Sequence, residues 1–193
     1  YLSLDESIEL LEAVDDPNQA RDYCILTLFL NCGLRISELV SLNITDVREE
    51  QLRVLGKGNK ERMIFLNEAC RAALDDWLEE RSRQAAADPN ALFLTRTHTR
   101  MTKDAVHYMV KQRLKKAGLD ASLYSSHKLR HTAATLMLQN GVDVRTLQEV
   151  LGHENLNTTQ VYTHVDNENL RSAAKANPLG RMKKKPTPIP PGK

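Results

Sequence analysis

The sequence predicts a mainly helical domain with one small antiparallel β-sheet, an α+β fold. Apolar residues recur at helical spacing over most of the 193 residues. The period changes between about residues 44 and 66, where two apolar runs flank the glycine-containing turn GKGN at 56–59. The last third is a succession of short segments that begin at capping residues and end at glycines. Together these three observations predict the fold class.

Three helices are predicted before the sheet. In LSLDESIELLEAV, Ser3 or Asp5 can act as the cap. Asp16–Pro17 introduces the second helix, ARDYCILTLFLNC, whose nearly continuous apolar character predicts a buried element that ends at Gly33. A short third helix is expected in SELVSLN, with Ser37 as its cap.

The middle of the chain combines the sheet with two further helices. Residues 51–66 predict a β-hairpin, and ITDV at 44–47 is compatible with a third strand. Helical spacing returns over 67–86. LFL at 92–94 predicts a short extended piece, and a basic helix is expected over 102–117.

The final segments are short helices followed by a tail. Gly141 ends one helix, Asp143 can cap the next, which Gly152 ends, and Asn157 can cap TTQVYTHV. A last helix is expected over 167–176. Because the residues from 178 onward are basic and rich in proline, we predict one domain over 1–177 and a flexible tail over 178–193.

Composition is that of a globular protein, but charge is unevenly distributed. The chain is 41% hydrophobic and 27% charged, and it has no apolar run long enough to cross a membrane and no signal-peptide pattern. Its three cysteines have no metal-ligand spacing, so a reduced, cytoplasmic setting is expected. Residues 1–50 hold eleven acidic against three basic side chains, whereas residues 100–130 hold eight basic against two acidic. This asymmetry indicates a side that faces a polyanion, or else a solvated helix face.

A cluster of cationic side chains opens the segment SHKLRHTAATLMLQNG at 126–141. His127, Arg130 and His131 are expected on one face of a helix. Core residues on the opposite face are expected to be Leu129, Ala133 and Leu136. Zinc usually needs three or four ligands, often with a carboxylate, and no acidic residue lies between the two histidines. An anion fits better, because a guanidinium offers a rigid fork of donors that matches phosphate oxygens.

Four motifs follow one another along the chain: CGLRISELVSL at 32–42, GKGNKER at 56–62, HKLRH at 127–131 and LGHENLNTTQVYTHV at 151–165. They resemble the first arginine box, the β-hairpin lysine segment, the His-x-x-Arg-His box and the second histidine box of the tyrosine recombinases, the phage-integrase and Xer-type family. The resemblance implies that family's catalytic-domain fold. It also implies that the family's N-terminal core-binding domain is absent from this stretch.

The resemblance implies a metal-free and cofactor-free cleavage of DNA. The nucleophile would be Tyr162, which would form a 3′-phosphotyrosyl link and release a 5′-hydroxyl. Arg35 and Arg130 would clamp the non-bridging oxygens, and Lys57 would protonate the leaving oxygen. The histidines of the implied site are His127, which would assist proton transfer, and His153, which would bond the scissile phosphate.

Several of these residues have a plainer interpretation. Arg35 follows a helix end and could cap carbonyl groups there. Lys60 is a rival for Lys57 as the proton donor. His131 and His153 could be structural residues. Two further tyrosines compete with Tyr162 as the nucleophile, but they lie outside any motif: Tyr108 and Tyr124.

Double-stranded DNA is the partner that the resemblance implies. The residues expected to contact DNA are Lys60, Arg62, Arg100, Lys103, Lys111, Arg113 and His131. Phosphate contacts of this kind give affinity and register rather than sequence reading. Tetramers on paired sites are also implied, with the helix at 167–176 docking either on a neighbouring subunit or on its own domain.

The function implied is that of a site-specific recombinase, or integrase, that serves a mobile element, a phage or chromosome-dimer resolution. A type IB topoisomerase-like nicking and closing enzyme would share the chemistry. A catalytically silent DNA-binding regulator would share the fold. A zinc hydrolase would differ from all three, because it would hold a metal.

Overall fold

The computed structural model describes residues 1–16, 19–152 and 166–184, and these form a mainly helical domain with one β-hairpin, as predicted. The helices are α1 (Leu4–Glu12), α2 (Ala20–Cys32), α3 (Ile36–Val40), α4 (Glu68–Ser82), α5 (Lys103–Lys116), α6 (Ser126–Gln139), α7 (Val144–Leu151) and α8 (Asn167–Ala176). The strands are β1 (Gln51–Leu55) and β2 (Glu61–Phe65), and 3-10 turns cover Ile44–Asp46 and Lys57–Asn59. Among the described helices, none is long and apolar enough to span a membrane.

Helix α2 is the centre of the hydrophobic core. Nearly all of its side chains are buried, and it packs against α1, α4 and α6. Trp77 of α4 is buried beside Phe93, and its indole nitrogen donates a hydrogen bond to the carbonyl oxygen of Leu92 at 2.8 Å. Burying each large apolar side chain contributes roughly 1.5–3 kcal/mol. The core therefore provides a rigid support for the loop that follows α2.

The predicted helix ends are confirmed in most cases. The hydroxyl group of Ser3 caps α1, and the carboxylate of Asp143 caps α7. Gly33 ends α2 and Gly152 ends α7, both in the left-handed conformation that favours glycine. The prediction that Ser37 caps the third helix is wrong. The cap position is taken by Arg35, two residues earlier, and the carboxylate of Glu38 in the first turn accepts a hydrogen bond from the backbone nitrogen of Arg35.

The hairpin has the predicted position, but the third strand is absent. Strands β1 and β2 pair antiparallel from Gln51 opposite Phe65 to Leu55 opposite Glu61. The segment ITDV instead forms a 3-10 turn, with one isolated bridge from Val47 to Leu52. The carboxylate of Asp46 accepts a hydrogen bond from the backbone nitrogen of residue 43 at 2.8 Å, which favours a turn over a strand at this point.

Helix α8 packs on the domain of its own chain, beside α7 and β2. The residues just after it, which the sequence assigns to a tail, also pack on the domain. Leu179 is buried, the carbonyl oxygen of Gly180 accepts a hydrogen bond from the nitrogen of Ala69 at 2.8 Å, and the amide of Asn177 donates to the carbonyl oxygen of Leu30 at 3.0 Å. The packed domain thus extends beyond residue 177. Residues 185–193 lie outside the described part.

Candidate active site

Arg35 and Lys57 line the same surface cleft. Gly33 turns the chain sharply after α2, so that Arg35 stands at the start of α3 beside the β1–β2 turn. Its side chain is 40% exposed, and Lys57 is exposed in the turn. Ser37, Glu38 and Gly56 complete this side of the cleft. Two of the cations predicted to act on a phosphate are therefore brought together.

Arg130 is buried against Gly33, which precedes Arg35 by two residues. It is 7% exposed, and its guanidinium donates hydrogen bonds to the carbonyl oxygens of Gly33 and Leu151, the latter at 3.0 Å. Burial, the main cause, together with the positive charge of Arg35, lowers the pKa of Arg130 to about 10. Because the charge of Arg35 disfavours the charged form of Arg130, binding of an anion near both groups would be favourable.

Glu38 supplies the negative charge at the centre of the site, and sequence reasoning missed it. The residue is 2% exposed, and its carboxylate accepts a hydrogen bond from the backbone nitrogen of Arg35 at 2.8 Å. The same carboxylate forms an ion pair with Arg62. A buried carboxylate is tolerated only when it is paired and hydrogen-bonded. Its place at the third position of α3 was the available signal, because an acid there can reach back to the helix start.

The predicted single face of His127, Arg130 and His131 is only partly correct. Both histidines are exposed, whereas Arg130 turns inward. The ring of His131 lies edge-on to that of Tyr1, with centroids 5.6 Å apart. The apolar side of α6 packs as predicted, and it buries Leu129, Ala133 and Leu136.

The basic residues expected to contact DNA fall into two groups. Lys60, Lys103 and His131 are exposed. The other four make contacts within the domain. Arg62 pairs with Glu38. Arg100 donates hydrogen bonds to the carbonyl oxygens of Val40 and Leu42, Lys111 donates to those of Ala121 and Tyr124, and Arg113 pairs with Asp16 and Asp22.

These contacts explain part of the charge asymmetry. Acidic residues near the start of the chain pair with α5: Arg113 is 8% exposed between Asp16 and Asp22, and Lys116 pairs with Asp15. The hydrogen bonds from Arg113 lower the pKa of Asp16 to about 2. The basic side chains of α5 therefore balance internal acids as well as facing solvent.

The remaining two predicted catalytic residues, His153 and Tyr162, lie outside the described residues. Among residues 1–16, 19–152 and 166–184, no group of three or more His, Cys, Asp or Glu side chains is arranged to hold a metal ion. The three cysteines are buried and free, with 3.7 Å between the sulfur atoms of Cys32 and Cys70.

Known proteins are similar to this chain in sequence. A tyrosine recombinase XerC of Caldanaerobacter subterraneus is 54% identical over 182 residues, which cover 94% of this chain and 52% of that protein. A XerC of Vibrio cholerae is 42% identical over 95% of this chain and 60% of its own length. The chain thus spans little more than half the length of these relatives.

Solved structures agree with the sequence comparison. The crystal structure of XerA recombinase has a TM-score of 0.74 at 35% identity and covers 91% of this chain and 64% of that one. XerH recombinase bound to its difH substrate, in a pre-cleavage complex, has a TM-score of 0.70 at 30% identity and covers 90% of this chain and 53% of that one. The sequence profile of the phage integrase family matches residues 1–169. The chain therefore belongs to the phage integrase family.

Proposed function

We propose that the chain is the catalytic part of a site-specific DNA recombinase of the Xer type, working in the cytoplasm. The observation that carries the proposal is that Arg35 and Lys57 line one cleft together with the buried carboxylate of Glu38. Buried Arg130 bonds the carbonyl oxygen of Gly33, two residues before Arg35. Arginine and lysine clamps of this kind stabilise the charge that develops on a phosphoryl group during transfer. The names of the relatives support recombination over simple nicking and closing, and over a silent regulator.

The reaction is a transesterification in two steps. The hydroxyl oxygen of Tyr162 attacks phosphorus and loses its proton with the assistance of His127, while the bond from phosphorus to the 5′-oxygen breaks. Lys57 gives a proton to that leaving oxygen, and Arg35 and Arg130 hold the non-bridging oxygens. His153 donates a hydrogen bond to the same phosphate.

In the second step, a 5′-hydroxyl attacks the phosphotyrosyl phosphorus and gives its proton to Lys57. The bond from phosphorus to the tyrosine oxygen breaks, and that oxygen regains its proton with the assistance of His127. The phosphotyrosyl link replaces the phosphodiester, so rejoining requires neither ATP nor a metal.

The partner is double-stranded DNA. Lys60, Lys103 and His131 are the exposed members of the predicted set, and we assign them to the backbone contacts. Four basic residues are left out of the DNA-binding set because their side chains form hydrogen bonds within the domain: Arg62, Arg100, Lys111 and Arg113. Assembly as a tetramer on paired sites belongs to the same proposal.

Covalent trapping tests the proposal. The substrate is a duplex selected for binding from a randomised library and then nicked near each candidate phosphate, so that the cleaved strand diffuses away. We expect a protein–DNA adduct on a denaturing gel with the native chain, in chelator as well as in buffer, and none with Tyr162→Phe. An adduct that persists in Tyr162→Phe contradicts the assignment of the nucleophile, and one that requires a metal contradicts the mechanism.

A further inference from the structure

Arg62 joins three parts of the site that are distant in sequence. It lies on β2, and its side chain is 15% exposed. The guanidinium pairs with the carboxylate of Glu38, with one hydrogen bond of 3.1 Å to Oε1. Its Nε donates to the carbonyl oxygen of Val150 at 3.1 Å. The hairpin, the first arginine box and the end of α7 thus meet at one side chain.

The last turn of α7 is shaped to receive this arginine. Gly152 has a φ of +66°, and a Cβ atom there would lie 2.9 Å from Cδ and Nη1 of Arg62. Arg62 donates to Val150 while Arg130 donates to Leu151, so two successive carbonyl groups of the helix end receive guanidinium donors. Carbonyl groups in a final helical turn lack partners within the helix and favour positive charge.

The same ion pair holds the base of the Lys57 turn. A Cβ atom on Gly56 would lie 3.7 Å from Oε2 of Glu38, so the hairpin passes directly over this carboxylate. The nitrogen of Gly56 donates to the carbonyl oxygen of Lys60 at 2.7 Å, which closes the turn. Glu38 also fixes the backbone of Arg35, so the Arg62–Glu38 pair sets the spacing between the turn and the arginine box.

We propose that Arg62 is a positioning residue that holds the Lys57 turn against the arginine box and the end of α7. It acts through Lys57 and does not contact DNA, although the sequence predicts a DNA-binding role for it. The inference rests on the proposed function, in which Lys57 protonates the leaving 5′-oxygen. Without Arg62 the turn moves relative to the bound phosphate, and proton donation slows.

The first test separates cleavage from binding. Arg62→Met keeps most of the apolar stem of the side chain and removes its donors. We expect the single-turnover cleavage rate to fall by about 10²-fold, the size of effect that a small misplacement of a reacting group produces. The slope of log affinity against log salt concentration should not change, whereas a lost phosphate contact would reduce it by about one. A reduced slope with unchanged cleavage of the bound complex overturns the proposal.

The second test asks whether the defect lies in proton donation. In a substrate whose 5′-bridging oxygen is replaced by sulfur, the leaving thiolate needs no general acid, because thiols ionise near pH 8.5. We expect this substrate to restore most of the rate of Arg62→Met, as it should for Lys57→Met. A general structural defect would slow both substrates equally, and that result would overturn the proposal.

Control variants distinguish a failure of this inference from a failure of the proposed function. Arg53→Met removes another paired arginine of the same hairpin, one that contacts Asp46 and Glu61 instead of Glu38, and it should cleave at the native rate. Arg62→Lys, which keeps a charge beside Glu38, serves if the methionine variant does not fold, and it should show the same rescue by sulfur. Failure of the native chain to form any adduct counts against the proposed function, whereas native cleavage by both Arg62 variants counts against this inference alone.

Discussion

Arg130 combines a structural task with a chemical one. Its guanidinium holds the carbonyl groups of Gly33 and Leu151, so it joins the end of α2 to the end of α7. The positive charge of Arg35 is one of the causes that lower the pKa of Arg130. A buried cation next to a second cation is unfavourable in an empty site and favourable when a phosphate is bound. In the proposed reaction, the residue therefore contributes to preorganisation as well as to charge stabilisation.

Substitution of Arg130 should reduce both catalysis and stability. We expect Arg130→Ala to lower the cleavage rate by about 10²–10³-fold, the cost of removing one donor from a preorganised site. The free energy of unfolding should fall by about 1–3 kcal/mol, because two buried carbonyl groups lose a donor. Single-turnover cleavage and denaturant unfolding measure the two effects.

A surface arginine provides the comparison for this substitution. Arg83→Ala removes an exposed arginine whose pair with Glu79 contributes little, and it should change neither quantity. Loss of DNA affinity in step with cleavage would instead make Arg130 a binding residue.

Residue types in the site could be predicted from the motifs, but their surroundings could not. The arginine and lysine positions follow from the boxes, and the structure places Arg35 and Lys57 in one cleft. The position of Glu38 in the first turn of α3 indicates its bond to the helix start, but its burial is not predictable, because an acid in a helical pattern usually faces solvent. Its role depends on Arg62, which lies on another element, and such long-range pairing leaves no local pattern.

At the scale of elements, two helix ends define the site. Gly33 ends α2 and Gly152 ends α7, and each approaches its neighbour too closely for a side chain. A Cβ atom at Gly33 would lie 2.4 Å from Cδ2 of Leu151, so the two helix ends pack directly together. Arg35 follows the first of these ends by two residues, and residue 153, which follows the second, lies outside the described part.

Replacement of Gly33 should therefore be more damaging than its backbone conformation alone predicts. Gly33→Ala has to adopt a φ of +63° and to displace Leu151, whose carbonyl group binds Arg130. We expect a loss of about 1–2 kcal/mol from the left-handed conformation and about 1–3 kcal/mol more from overpacking. The melting temperature and the single-turnover cleavage rate should both fall.

Gly118 offers a matched control for this substitution. It has a φ of +77°, and nothing lies within 4 Å of the place where a Cβ would be. Gly118→Ala should therefore show only the conformational loss and should cleave normally. Equal losses of stability in the two variants would mean that the contact between the helix ends contributes nothing.

Elements with strong local signals were predicted well, and those fixed by distant contacts were not. The caps at Ser3 and Asp143 and the glycine ends act within a few residues, so the pattern reveals them. The segment ITDV is compatible with a third strand, but a local side-chain bond that the pattern does not reveal, from the backbone nitrogen of residue 43 to the carboxylate of Asp46, turns the backbone there. Leu179 was assigned to a tail because proline and lysine dominate its surroundings, although it is buried.

The basic side chains of the molecule form two layers, an inner one that contacts acids or carbonyl groups of the domain and an outer one that faces solvent. The acidic start of the chain neutralises the inner side of α5 through Arg113 and Lys116. Exposed cations remain in the hairpin turn and at the start of α5. A count of charges along the sequence predicts the excess of positive charge, but it cannot separate cations that face acids from those that face solvent.

This division predicts which lysines determine the salt dependence of DNA binding. Lys60→Met and Lys103→Met should each reduce the slope of log affinity against log salt by about 0.9, the value for one phosphate contact. Lys111→Met should leave the slope unchanged and lower the melting temperature, because the carbonyl groups of Ala121 and Tyr124 lose their donor. Fluorescence anisotropy at several salt concentrations and thermal unfolding give both quantities. If Lys111→Met reduced the slope as much as the exposed lysines do, the inner layer would contact DNA and the two-layer arrangement would be wrong.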